Sequence, residues 1–154
     1  MKHKKLPTRM LRFAAPGFDR QQHASVILAS QAGVDRGVTL SHLESVITFV
    51  ETTRSTTLIT ELVSDDDYAE FQRTLARFPT KGPILEGCGG VRKVRMRAKG
   101  HGTSGGARVL YLHLPNRNLI YLLTLLTKGD AGNISAAGKK AIKQLAEQIK
   151  AEHR

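Results

Sequence analysis

The chain has a single cysteine, Cys88, so no disulfide can form within it. A free thiol fits a reducing, cytoplasmic setting, and its simplest role is that of a small buried hydrophobe. Acids are scarce: 13 Asp and Glu against 24 Lys and Arg leave a formal charge of +11. The shortage is sharpest between Glu86 and Asp130, where no acid occurs while Arg92, Lys93, Arg95, Arg97, Lys99, Arg108, Arg117 and Lys128 supply eight bases. The longest apolar run, LIYLLTLL at 119–126, falls far short of the ~20 residues that cross a bilayer. The opening MKHKKLPTRMLRFAAPGF has no apolar stretch of the ~7–15 residues a secretory signal needs. These absences exclude a disulfide scaffold, a membrane-spanning helix and a membrane partner. They leave a soluble protein whose surplus charge calls for a polyanion, nucleic acid first.

A length of 154 residues with 40% hydrophobic content is one modest domain. Residues 1–45 differ in texture: they are basic, punctuated by Pro7 and Pro16, and show no sustained period. They are expected to form a poorly structured extension, in which SVILAS (25–30) and VTLSHLESV (38–46) fit a short helix or a strand. Two readings stay open for this segment: a start codon assigned too far upstream of a true start near Val46, or a binding role of its own.

The folded domain is expected over 46–152. VITFVET (46–52) is β-branched and aromatic, hence a strand, and TRSTTLITELV (53–63) carries Leu58, Ile59 and Leu62 at helical spacing. Ser64 then acts as an N-cap, with Asp65, Asp66 and Asp67 at the positive end of a helix dipole. Serial acids at a helix start are caps rather than metal ligands here, since no second ligand cluster accompanies them. Tyr68, Phe71, Leu75 and Phe78 lie on one face of that helix, and Pro79 stops it. After the turns PTKGP (79–83) and GCGG (87–90), three strands follow: VRKVRMRA (91–98), ARVLYLHL (107–114) and LIYLLTLL (119–126). Short connections make them antiparallel, and the last, apolar on both faces, is central. Ser135 caps a final helix with Ile142, Leu145 and Ile149 inward and Lys139, Lys140, Lys143 and Lys150 outward. The fold class is therefore α+β: a small antiparallel sheet with two N-terminal helices and one C-terminal helix packed on it.

Gly100, Gly102 and Gly105 spell the G-x-G-x-x-G of a dinucleotide site. That site needs a helix after the glycines, to present its N-terminus to the pyrophosphate, and here a strand follows. The glycines instead fit a hairpin tip, whose N–H groups can form an anion-binding nest. On the preceding strand Lys93, Arg95, Arg97 and Lys99 fall on one face about 7 Å apart, with Arg92, Val94 and Met96 on the other. Such a row suits a phosphate backbone. A solvated edge strand guarded by bases is the plainer account of the charge.

The stretch GCGGVRKVRMRAKGHGTSGGARVLYLHLPNRNLIYLLTLLTKGDAGNISAAGKKAIKQL resembles the RelE/HigB group of type II toxin–antitoxin toxins. Their pattern runs Gly-Gly-Leu-Arg-Lys-Leu-Arg, a glycine-rich Lys-Ser-Gly-Gly-x-Arg-Val-Ile-Tyr, then an apolar strand ending Tyr-x-Lys. FVETT (49–53) and LVSDDDYAEFQRTLARFP (62–79) are similar to the same group, so the likeness spans about Val46 to Gln148. It implies a RelE-like sheet backed by helices, and a cytoplasmic, ribosome-dependent mRNA endoribonuclease that inhibits translation, with no cofactor and no metal. The 2′-hydroxyl attacks the adjacent phosphate and leaves a 2′,3′-cyclic phosphate. The partners implied are the ribosome and mRNA, a cognate antitoxin with a helix-turn-helix, and operator DNA for the toxin–antitoxin complex.

The matching residues are Arg108, which would grip the phosphorane oxygens bidentately, and Lys128, which would stabilise charge or give a proton. Lys93 and Arg95 would line the scissile phosphate, while Arg92, Arg97, Lys99, His101 and Ser104 would hold flanking RNA. His101 is also a candidate acid or base. Thr103 takes the place of the lysine before Ser-Gly-Gly, and Leu126 that of the tyrosine in Tyr-x-Lys. Of the remaining tyrosines, Tyr121 reads as core, facing away from Leu126, and the role of Tyr111 stays open. The alternative is a basic module of the same fold that binds RNA or DNA with weak or no catalysis.

Overall fold

Side-chain oxygens fix where the helices start. In a computed structural model that describes residues 23–28 (backbone only), 46–100, 105–127 and 134–154, Thr52 caps helix α1 (Thr53–Leu62) by accepting from the Ser55 N–H at 3.2 Å. Ser64 caps α2 (Asp65–Arg77) through the Asp67 N–H, also at 3.2 Å, and Ser135 caps α3 (Ala136–Glu152) through the Gly138 N–H at 3.1 Å. Each bond satisfies a donor the helix leaves open. Asp65, Asp66 and Asp67 sit in the first turn of α2, as its dipole favours.

The strands are β1 (His23–Leu28), β2 (Val46–Glu51), β3 (Arg92–Met96), β4 (Ala107–Leu114) and β5 (Leu119–Leu126), in the spatial order β1-β2-β5-β4-β3. The α+β class stands, but the sheet is mixed. β3, β4 and β5 are antiparallel neighbours, whereas β2 and β5 run parallel, Thr48 opposite Leu119 through Glu51 opposite Leu122. Short connections govern only the β3-β4-β5 meander. The long excursion through α1 and α2 delivers the chain to the far edge, and two reversals bring β5 back beside β2 in the same direction. β1, inside the segment expected to be loosely ordered, pairs antiparallel with β2 from His23 opposite Glu51 to Leu28 opposite Val46.

The sheet separates two cores. On one face Ile59, Tyr68, Phe71 and Leu75 of the first two helices meet Ile47, Phe49, Val109, Tyr111, Ile120, Leu122 and Leu125. On the other, Ala146 and Ile149 of α3 meet Val50, Cys88, Leu110, Leu112, Tyr121 and Leu123. β5 feeds both, as its two-faced apolar sequence requires. Phe49, Tyr111, Ile120 and Leu122 are fully buried, each worth about 1.5–3 kcal/mol relative to exposure. Phe78 departs from its expected helical stripe. It lies beyond the last turn, with φ −131° and ψ 73°, is 52% exposed and sits under the Arg77 guanidinium at 5.3 Å.

A β-bulge alters the parity of β5. The register steps from Leu110 opposite Thr124 to Tyr111 opposite Leu122, so Leu123 is an extra residue on β5. Tyr121, Leu123 and Leu126 consequently all belong to the α3 side. Simple alternation puts Tyr121 and Leu126 on opposite faces, and the bulge overturns that.

Candidate functional site

β4 begins at Ala107, so a strand, and not a helix, follows the glycine loop. The loop is held at both ends. A Cβ on Gly106 would lie 2.1 Å from the Met96 carbonyl oxygen, so only glycine lets the two strands approach there. At the other end, the Lys99 N–H donates to the Leu62 carbonyl at 2.8 Å, and its ammonium donates to the carbonyls of Thr60 and Glu61 at 3.0 and 3.2 Å. These are the open acceptors of the α1 C-terminus, where a cation is favoured. Lys99 is thus a helix cap as placed, separate from the row expected on β3.

Alternation assigns the remaining bases. Val94 and Met96 of β3, and Ala107, Val109 and Tyr111 of β4, pack on the α1/α2 side, which puts Lys93, Arg95 and Arg108 on the α3 side. The register then pairs Arg95 with Arg108 and continues to Leu126 on β5, forming one row across three strands. Lys93 leads the next row, opposite Leu110, which is opposite Thr124. Directly opposed residues have Cβ atoms about 5 Å apart, where two like charges destabilise a sheet. Arg95 is exposed, and Arg108 and Lys93 are half-buried. Arg97 is exposed just past β3.

Arg92 lies on the opposite face and serves the fold. One of its terminal nitrogens donates to the Gly82 carbonyl at 2.7 Å and to that of Thr80 at 3.3 Å, bracing the turn before β3. His101, Thr103, Ser104 and Lys128 lie outside the described residues. A base missed in the sequence is Arg54, in the first turn of α1, whose Nε donates to Thr124 Oγ1 at 3.3 Å. No local pattern marks it, because only the parallel β2–β5 pairing carries α1 to Thr124.

Tyr111 is fully buried, donating to the Pro79 carbonyl at 2.9 Å and accepting from the Gly82 N–H at 3.2 Å. Burial raises its phenol pKa, partly offset by the Gly82 bond and by Arg92. Tyr121 is core as expected, its hydroxyl 2.7 Å from His153 Nε2 and its pKa raised by burial and then by Glu152. Cys88 is fully buried, and burial pushes its thiol pKa up against the pull of Lys139. On the α1/α2 side a carboxylate the sequence did not flag, Glu51, is 1% exposed and accepts from Thr56 Oγ1 at 2.8 Å and from the Tyr68 hydroxyl.

Among the described residues, no three His, Cys, Asp or Glu side chains gather to hold a metal, and no helix is long and apolar enough to cross a membrane. A scan against protein-family models finds none that matches the chain. The arrangement itself offers paired guanidiniums and an ammonium on one sheet face, a setting suited to a phosphate with developing charge.

Proposed function

We propose that this protein is a RelE/HigB-type toxin, a ribosome-dependent endoribonuclease whose centre is Arg108 and Arg95 with Lys93 beside them. The register carries the reading: it sets Arg95 directly opposite Arg108 on the face that also holds Lys93. Opposed like charges cost stability, and a phosphate between them turns that cost into binding. The motif likeness supplies the reaction, attack of a 2′-hydroxyl on the next phosphate, with the guanidiniums holding the phosphorane oxygens. Lys128 is the proposed charge stabiliser or proton donor. An antitoxin with a helix-turn-helix is the proposed neutralising partner.

Expression should arrest growth and produce new mRNA ends on ribosomes. Arg108→Ala should abolish both, and Arg108→Lys should retain little, because an ammonium cannot replace the bidentate fork. Arrest that persists in both variants sinks the reading.

One observation favours a second reading, a binding module that does not cut. Leu126, where the toxin pattern has tyrosine, sits in the row of Arg108 and packs with the apolar cluster beside α3. That place therefore carries no hydroxyl to move a proton. Salt-dependent RNA affinity with no new RNA ends from the wild type would decide for this second reading.

A further inference from the structure

A second set of bases lies along the same face of the sheet. Lys139, Lys143, Ala146 and Lys150 fall at i, i+4, i+7 and i+11 on α3, one stripe of the helix. Ala146 is fully buried in the core that α3 shares with Leu110, so the stripe is anchored on the face that bears Lys93, Arg95 and Arg108. It borders the GCGG turn, which leads straight into β3. A Cβ on Gly89 would lie 3.0 Å from Glu147 Oε1, 3.3 Å from Ala146 Cβ and 3.6 Å from Lys143 Cγ, and one on Gly90 would lie 3.8 Å from Lys150 Nζ. Lys139 is close enough to Cys88 to pull on its thiol.

Lys150 pairs with Glu147 at 3.2 Å. The Lys139 and Lys143 side chains are exposed, and their ammonium groups have no hydrogen bond or ion pair with any described residue. They stand about 6 Å apart along the helix axis. Among the described residues, the acids flanking the turn are Glu147, which pairs with Lys150, and Glu86 ahead of it.

We infer that the basic surface on this side of the sheet, from Lys139 and Lys143 of α3 across the GCGG turn toward Lys93 of β3, is the track that holds the RNA strand flanking the centre of Arg108 and Arg95. The inference rests on the ribonuclease reading and extends it: recognition here is of a single-stranded phosphate backbone, independent of base identity. The turn lies against this stripe, since side chains at Gly89 and Gly90 would run into α3.

The test uses the full chain and a fluorescent 2′-O-methyl RNA of about 20 nucleotides, which cannot be cut through its own 2′-hydroxyl. Lys139→Gln with Lys143→Gln should weaken binding on the order of tenfold and reduce the slope of log affinity against log salt by about 1.4, two phosphate contacts at about 0.7 each. Arg73→Gln with Arg77→Gln removes the same charge from exposed positions on α2 and should leave affinity within about twofold. Equal losses in the two pairs would mean that net charge acts without a track, and no loss in the first pair would mean that the RNA runs elsewhere; either overturns the inference. A first pair that keeps RNA but loses an acidic peptide would hand this surface to a protein partner and overturn it too. Cleavage of ordinary mRNA by wild type and Arg108→Ala, run in parallel, tests the ribonuclease reading separately.

Discussion

Arg95 is the residue where fold and proposed function pull apart. Exposed, it stands opposite the half-buried Arg108, and like charges directly opposed are destabilising, on the scale of the roughly 0.2–1 kcal/mol that cross-strand pairs contribute. Arg95→Gln should therefore raise the unfolding free energy by about that amount while lowering RNA cleavage, measured as denaturant midpoint and as product ends from the same preparation. A variant that loses stability along with activity would show that Arg95 serves the fold. Glu51 is the converse, a buried carboxylate serving the structure. Tyr68→Phe removes one of its hydrogen-bond partners, and since a buried polar group left short costs about 1–3 kcal/mol, the variant should unfold that much more easily with little change in RNA binding.

At the scale of elements, α2 and α3 were legible because their caps are chemical: Ser64 and Ser135 mark starts that local hydrogen bonding enforces, whereas α1 was legible from the spacing of Leu58, Ile59 and Leu62, its Thr52 cap being read as the end of a strand. The three later strands were legible from their β-branched and apolar letters. The parallel partner of β5 was not, because nothing local in VITFVE tells which strand it will meet. The bulge at Leu123 was equally hidden, being a property of two strands together. The site shared this division. Lys93, Arg95 and Arg108 could be listed from sequence, but their place on one face depends on register, and the hydrogen bonds of Lys99 to the α1 C-terminus and of Arg92 to the Gly82 carbonyl have no local signal. The glycine loop tests this level directly. Gly106→Ala forces a Cβ against the Met96 carbonyl, and overpacking of this sort costs about 1–3 kcal/mol. Because the strain falls at the junction of β3 and β4, cleavage should fall further than the loss of stability accounts for, as comparison well below the melting temperature would reveal.

For the whole molecule, charge and burial meet at His113. The chain carries +11 before any histidine is protonated, so each added proton increases self-repulsion in the compact state. His113 lies half-buried near the end of β4, and burial first, then the Arg92 guanidinium, hold its pKa below the ordinary histidine value. The unfolded chain releases His113 from both and binds a proton below about pH 6.5, while the folded chain resists it. In that window the unfolded state holds more protons, so stability is present above the ordinary value and is lost as pH falls through the lowered one. Thermal unfolding followed from pH 7.5 to 5 should show the melting temperature declining below about pH 6.5. His113→Gln keeps a polar side chain without the titration and should flatten part of that decline, leaving a remainder to the carboxylates. Identical pH profiles for the two proteins would mean that the acid sensitivity of the fold lies elsewhere than in the Arg92–His113 side of the sheet.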